Sequence, residues 1–162
     1  MNGHETRQRI LAFLQEHTTV ALATSGEAGV PAVAAVFYAA DDDLNLYFLT
    51  EDRTEHGRNM LASGRVAGAV YADGQDWRRI RGLQIKGRAE IVAGAELPRA
   101  IKTYGARYAF VASLLAGQAG PATFSGPLAR ARFWVLQPAW FRLTDNTVRF
   151  GYKEELRLAE GE

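Results

Sequence analysis

Between residues 83 and 91 the chain reads Leu-Gln-Ile-Lys-Gly-Arg-Ala-Glu-Ile, with every odd position apolar or small and every even position polar. A side-chain period of two belongs to a β-strand with one face on a core and the other in water or a groove. A helix would scatter the same residues around its circumference, so this stretch demands a sheet. Other segments extend it. Residues 19–24 alternate large and small side chains, and residues 44–50 and 65–71 also read as strands. Residues 133–137 and 140–144 form two more, and Asp145-Asn146 reads as a tight hairpin turn into a last strand over 148–152. Residues 30–40 are almost wholly apolar, which predicts burial on both faces or one face closed against another subunit.

Helical spacing is confined to a few places. Over residues 6–16 it sets Ile10, Phe13, Leu14 and His17 on one face. A short helix from Thr54 carries His56, Met60 and Leu61 towards Ser63-Gly64. A third, over 96–108, has Pro98 in its first turn, where a missing N–H costs little. A short helical piece over 110–115 leads into a Gly/Pro-rich loop over 117–127. About seven strands, mostly joined by short turns, predict an α+β chain that is mainly β. The expected form is an antiparallel sheet closed into a barrel, with helices plugging its ends or gaps. Long βαβ crossovers, G-x-G-x-x-G and G-x-x-x-x-G-K-[ST] are all missing, which points away from a doubly wound nucleotide fold. Residues 1–162 are expected to form a single domain.

Composition removes several function classes. The chain has no cysteine, which excludes thiolate zinc sites, iron–sulfur clusters and cysteine nucleophiles. Its histidines, His4, His17 and His56, are too scattered to ligate a metal together. Asp41-Asp42-Asp43 lacks the later glutamate of a calcium loop and reads as a turn, so no metal site is expected. Neither Ser25-Gly26 nor Ser125-Gly126 has the strand–elbow–helix setting of a serine nucleophile. A net charge of +1 gives no electrostatic case for nucleic acid or a membrane surface. Arg78, Arg79 and Arg81 sit beside Trp77, but alternation puts Arg79 and Arg81 on the strand face opposite Lys86 and Arg88, which disperses the charge. The first residues lack a signal-peptide pattern and no run suits a bilayer span, so a cytoplasmic location is expected.

The strongest functional signal is Leu-Thr-Glu-Asp-Arg-Thr-Glu-His over 49–56, where a hydrophobic strand passes through a polar loop into a helix. The first N–H groups of a helix lack intrahelical partners and carry partial positive charge, so such a turn can cradle an anion. Thr54 is a good N-cap whatever the function, worth about 1 kcal/mol. Arg53 can offer a two-pronged guanidinium to a phosphate. His56 can add a charge, since a histidine ordinarily titrates near pH 6.5.

Together with the helix over 6–16, a set of motifs in order carries a family resemblance. They are Ala21-Leu22-Ala23-Thr24, a glycine turn, Val30-Pro31-Ala32-Val33-Ala34-Ala35-Val36-Phe37-Tyr38, Leu46-Tyr47-Phe48-Leu49-Thr50, and Ile85-Lys86-Gly87-Arg88-Ala89-Glu90. This order resembles the pyridoxamine 5'-phosphate oxidase-like, FMN-binding split-barrel superfamily. Ile80 to Gly87, Leu143 to Thr147 and Phe150-Gly151 resemble its YhbP-like branch.

The resemblance implies a homodimer with FMN at the subunit interface, acting as an FMN-dependent oxidoreductase or flavin reductase on an unknown small molecule. It implies a flavin lying along the strand of Val36 and Phe37, with Leu49, Thr50, Arg53, Thr54 and His56 around its phosphate. Arg81 and Gln84 would face the ring or substrate, Trp140 would stack near the ring from the other subunit, and Lys153 would reach in across the interface. It names no general acid or base. There are departures. Ala34 and Ala39 stand where the oxidases bring an arginine and a lysine to the phosphate. Thr54-Glu55-His56 replaces a Ser-Arg-Lys run, and Gly82 replaces a glutamine near the ring. These point away from pyridoxamine oxidation. The alternatives are a cofactor-free dimer serving as a ligand-binding or interaction module, and a pocket that takes heme or a deazaflavin instead.

Overall fold

The alternation of residues 83–91 is realised in the central strand of a closed antiparallel sheet. The computed structural model describes residues 2–111 and 128–158. Its strands are β1 Thr19–Ser25, β2 Pro31–Ala40, β3 Leu46–Glu51, β4 Arg65–Tyr71, β5 Arg81–Ile91, β6 Ala131–Asp145 and β7 Lys153–Arg157. The helices are α1 Gly3–Glu16, α2 Glu55–Ser63 and α3 Leu97–Arg107. The sheet runs β3-β2-β1-β4-β5-β6-β7, and β3 also pairs with β6, so the first six of these close into a barrel. Closure removes most of the edge an open sheet would expose.

β6 makes closure possible by serving two neighbours. Its first half, Ala131 to Leu136, pairs with β3, and its second half, Trp140 to Thr144, pairs with β7. Sequence reading breaks this strand at Pro138, because proline has no N–H for a ladder. The chain instead stays extended through Pro138, and β5 shifts register between Lys86 and Gly87 opposite it. A bulge is how a sheet tolerates an interior proline. The last strand also moves. Asp145 accepts from Thr147 N at 3.0 Å and from Thr147 Oγ1 at 2.5 Å, while Asn146 Oδ1 accepts from Gly151 N. These bonds hold the residues after Asp145 as a longer turn, so pairing begins at Lys153 rather than at Val148.

Each barrel end is plugged by a helix. α1 starts at Asn2, whose side chain accepts from Glu5 N in a capping box, and it buries Ile10, Phe13 and Leu14. Arg9 ties it to the strands through Asp145 and Glu154. α2 closes the other end with Met60, and Asn59 Nδ2 donates to Thr24 Oγ1 on β1. Between them lies the core, including Leu22, Tyr38, Phe48, Leu83, Ile85, Trp134 and Phe141. α3 packs outside the barrel, with Ala100 and Tyr104 against Ala39, Tyr47, Phe133 and Val135. The loop expected over 117–127, and most of the helical piece over 110–115, fall outside the described residues.

β2 is not buried on both faces within this chain. Val33 is 72% exposed and Phe37 58% exposed.

Candidate functional site

The barrel is parted along one line. β2 pairs with β1 from Pro31 through Phe37, but meets β3 only at Tyr38–Phe48, Ala39–Tyr47 and Ala40–Leu46. β3 pairs with β6 along its whole length, and beyond that point Leu49, Thr50 and Glu51 have β6 as their sheet neighbour without β2. A seam therefore opens between residues 31–37 and 49–51 at the end of the barrel that α2 plugs. Tyr38 N donates to Thr18 O at 2.9 Å, so Tyr38 and its alternate neighbours aim their amides at β1. Alternation then turns the backbone N–H and C=O groups of Val33, Ala35 and Phe37 towards the seam. Phe37 stands exposed on the outer side, Val36 is half-buried against the core, and Leu49 packs near α3.

The polar turn singled out in the sequence forms one wall of this seam, and its groups largely satisfy one another. Thr54 caps α2, its Oγ1 accepting from Gly57 N at 3.1 Å and donating to Glu51 O at 2.8 Å. Arg58 N donates to Thr54 O. A Cβ on Gly57 would collide with the carbonyls of Glu51 and Asp52, so the first turn of α2 is backed tightly by its own chain. Thr50 Oγ1 and His56 Nε2 are hydrogen-bonded at 2.7 Å. Arg53 pairs with Glu51 at 3.1 Å, Arg58 reaches the carbonyl of Arg53, and Arg132 lies 3.5 Å from Asp52.

Burial lowers the pKa of His56 from its ordinary 6.5, against the opposing pull of Glu55. The unfolded chain then takes up the proton first as the pH falls. The stabilising contribution is present above pH 6.5 and is lost below it. Wild-type stability should fall more steeply than that of His56→Gln between about pH 7.5 and about pH 5.5, followed by urea titration. Parallel slopes would mean the imidazole is solvated.

A second feature adjoins the seam on the outer face of the sheet. Register places Ala35, Ala21, Ala69, Gln84 and Arg142 in one row, and Val33, Ala23, Ala67 and Lys86 in the next, ending near Trp140. The small side chains leave a shallow apolar hollow of about 320 Å³ walled by Val33 and Trp140. Trp140 is 8% exposed, and its ring lies between Lys86 Nζ at 4.9 Å and the Arg142 guanidinium at 5.1 Å. Its Nε1 donates to Glu155.

The residues proposed from sequence thus fall into three places. Val36, Phe37, Leu49, Thr50, Arg53, Thr54 and His56 gather at the seam. Gln84 and Trp140 share the outer face beside it. Arg81 and Lys153 lie at the opposite end of the barrel. There Arg81 binds Glu16 at 3.0 Å, approaches Asp145 and covers the Phe13 ring, while Lys153 is exposed at the start of β7. Lys86, Arg142 and Glu155 were not singled out, although they frame Trp140. Lys86 could have been found, because it shares the polar face of β5 with Gln84.

The ring and phosphate halves of the implied cofactor fare differently here. An apolar seam edged by backbone donors and acceptors suits a flat heteroaromatic ring. The phosphate does not fit. Ala39 is 1% exposed beneath α3 and Ala34 carries no charge, while the arginines of the turn are engaged with Glu51, Asp52 and a carbonyl.

Residues 6–145 match the family described as pyridoxamine 5'-phosphate oxidase. YhbP of Salmonella enteritidis is 33% identical over 124 residues, covering 74% of this chain and 72% of that protein. A heme binding protein from Mycobacterium smegmatis has a similar structure with a TM-score of 0.73 at 19% identity, covering 93% of this chain and 57% of that one. A pyridoxamine 5'-phosphate oxidase-like protein from Listeria innocua matches with a TM-score of 0.63 at 16% identity, covering 85% of this chain and 97% of that one.

Proposed function

The chain belongs to the pyridoxamine 5'-phosphate oxidase family, in its YhbP branch, and from that premise we propose that it is a homodimeric flavin-binding protein. The reading is a flavin-dependent oxidoreductase or flavin reductase acting on a small molecule. The observation that carries it is the parting of β2 from β3, which turns backbone groups of Val33, Ala35 and Phe37 into an apolar gap. A flavin ring there would lie along Val36, Phe37 and Leu49. Dimer formation is supported by the exposed Val33 and Phe37 beside the alanine floor, a contiguous apolar surface of the kind that marks an interface. The second copy would cover the seam and exclude water. Redox chemistry would be the flavin's own, with the protein supplying position and surroundings.

Heme is a second reading, supported by the half-buried His56 and by the structural likeness to the Mycobacterium smegmatis protein. A cofactor-free dimer serving as a ligand-binding module is the third, supported by the self-paired turn. The absorption spectrum of the purified protein, followed by flavin titration, separates them. Flavin bands or quenched flavin fluorescence are expected. A Soret band would transfer the site to heme, and no binding at high-micromolar flavin would leave the cofactor-free module.

A further inference from the structure

We propose that the seam selects flavin without its phosphate, taking riboflavin in preference to FMN. This rests on the flavin reading above and narrows its ligand class. The argument is the pairing around the mouth of α2. Glu51, Asp52 and Glu55 supply three carboxylates there, and Arg53, Arg58 and Arg132 supply three guanidiniums. Arg53 is committed to Glu51, Arg132 lies against Asp52, and Arg58 donates to the carbonyl of Arg53. A dianion arriving here would meet a turn already near neutrality and would compete with Glu51 and Asp52 for Arg53 and Arg132.

Two amides of the first turns of α2 are committed as well. Gly57 N donates to Thr54 Oγ1 and Arg58 N to Thr54 O, while the carbonyls of Glu51 and Asp52 crowd Gly57. Across the gap, β2 presents Ala32, Val33, Ala34, Ala35, Val36 and Phe37, none of which can carry charge. A phosphate would therefore lose hydration without an equivalent replacement, which is costly for a dianion. A ribityl chain ending in a hydroxyl carries no such charge. Its oxygens can exchange water for the seam-facing backbone groups of Val33, Ala35 and Phe37.

The test is titration of the full chain with riboflavin alone and with FMN alone, at low and high salt. Riboflavin should bind about tenfold more tightly than FMN. FMN affinity should not weaken with salt, because a true phosphate site would lose affinity as its ion pairs are screened. Glu55→Lys places an uncommitted cation at the first position of α2, and should raise FMN affinity several-fold while leaving riboflavin unchanged. FMN binding equal to or tighter than riboflavin overturns the inference and leaves the flavin seam standing. Binding of neither overturns both.

Discussion

Replacing Gly87 with alanine should cost about 3 kcal/mol of stability, at the upper end of what overpacking does in a well-ordered interior. A Cβ there would collide with the carbonyl oxygen of Gln137 and lie 2.9 Å from Pro138 Cα. Both are backbone atoms of β6, and neither can swing aside as a flexible side chain would. Gly87 is not among the residues with positive φ, so the requirement is room rather than conformation. The bulge brings the two strands together so that Pro138 can sit in the ladder without an N–H. The expected fall in Tm is about 6–12 °C, given the size of the domain. Gly82→Ala on the same strand is the control. Its nearest neighbours, Val70 O at 3.8 Å and Tyr71 Cβ at 4.0 Å, leave ordinary contact distances, and stability should barely change. Equal effects from both variants would show that the strands can move apart at the bulge.

Trp134→Ala should cost about 4 kcal/mol, the typical loss when a large buried aromatic is truncated. Trp134 is 0% exposed and stacks on Phe48 with ring centroids 6.5 Å apart, bridging β6 and β3 where the barrel closes. Its Nε1 is buried with no hydrogen-bond partner among the described residues. Trp134→Phe keeps most of the ring and removes that unsatisfied donor. It should therefore lose about 1 kcal/mol or less, because leaving a buried N–H unpaired already carries a penalty. Urea unfolding of the two variants gives the comparison. A phenylalanine variant as unstable as the alanine one would mean that the indole nitrogen has a partner.

Local pattern made much of the fold legible. The alternation in residues 83–91, the glycine turn after Thr24 and the Thr54 cap each express a preference complete within a few residues, and each appears in the structure. The break expected at Pro138 does not occur, because a proline's tolerance depends on what the partner strand does opposite it, and Gly87 lies far away in sequence. The strand expected over 148–152 is displaced because the side chains of Asp145 and Asn146 bind Thr147 and Gly151.

The candidate site divides in the same way. The cluster at 49–56 could be gathered from sequence because its members are neighbours along the chain. The framing of Trp140 by Lys86 and Arg142 could not, since it depends on the register of β5 and β6. Arg81 illustrates the reverse case. Its attachment to Glu16 and Asp145 joins segments far apart in the chain.

The sequence by itself determined most of the strands and helices, where α2 would be capped, and that thiolate chemistry is absent. Those properties follow from side-chain period, cap chemistry and composition, which are local or additive. Only the tertiary structure decided that β2 leaves β3 after three pairs, and that the arginines of the turn are already engaged. Strand register, and a contact such as Arg132 with Asp52, are set by which distant segments pack together, and no short stretch of the chain contains that information.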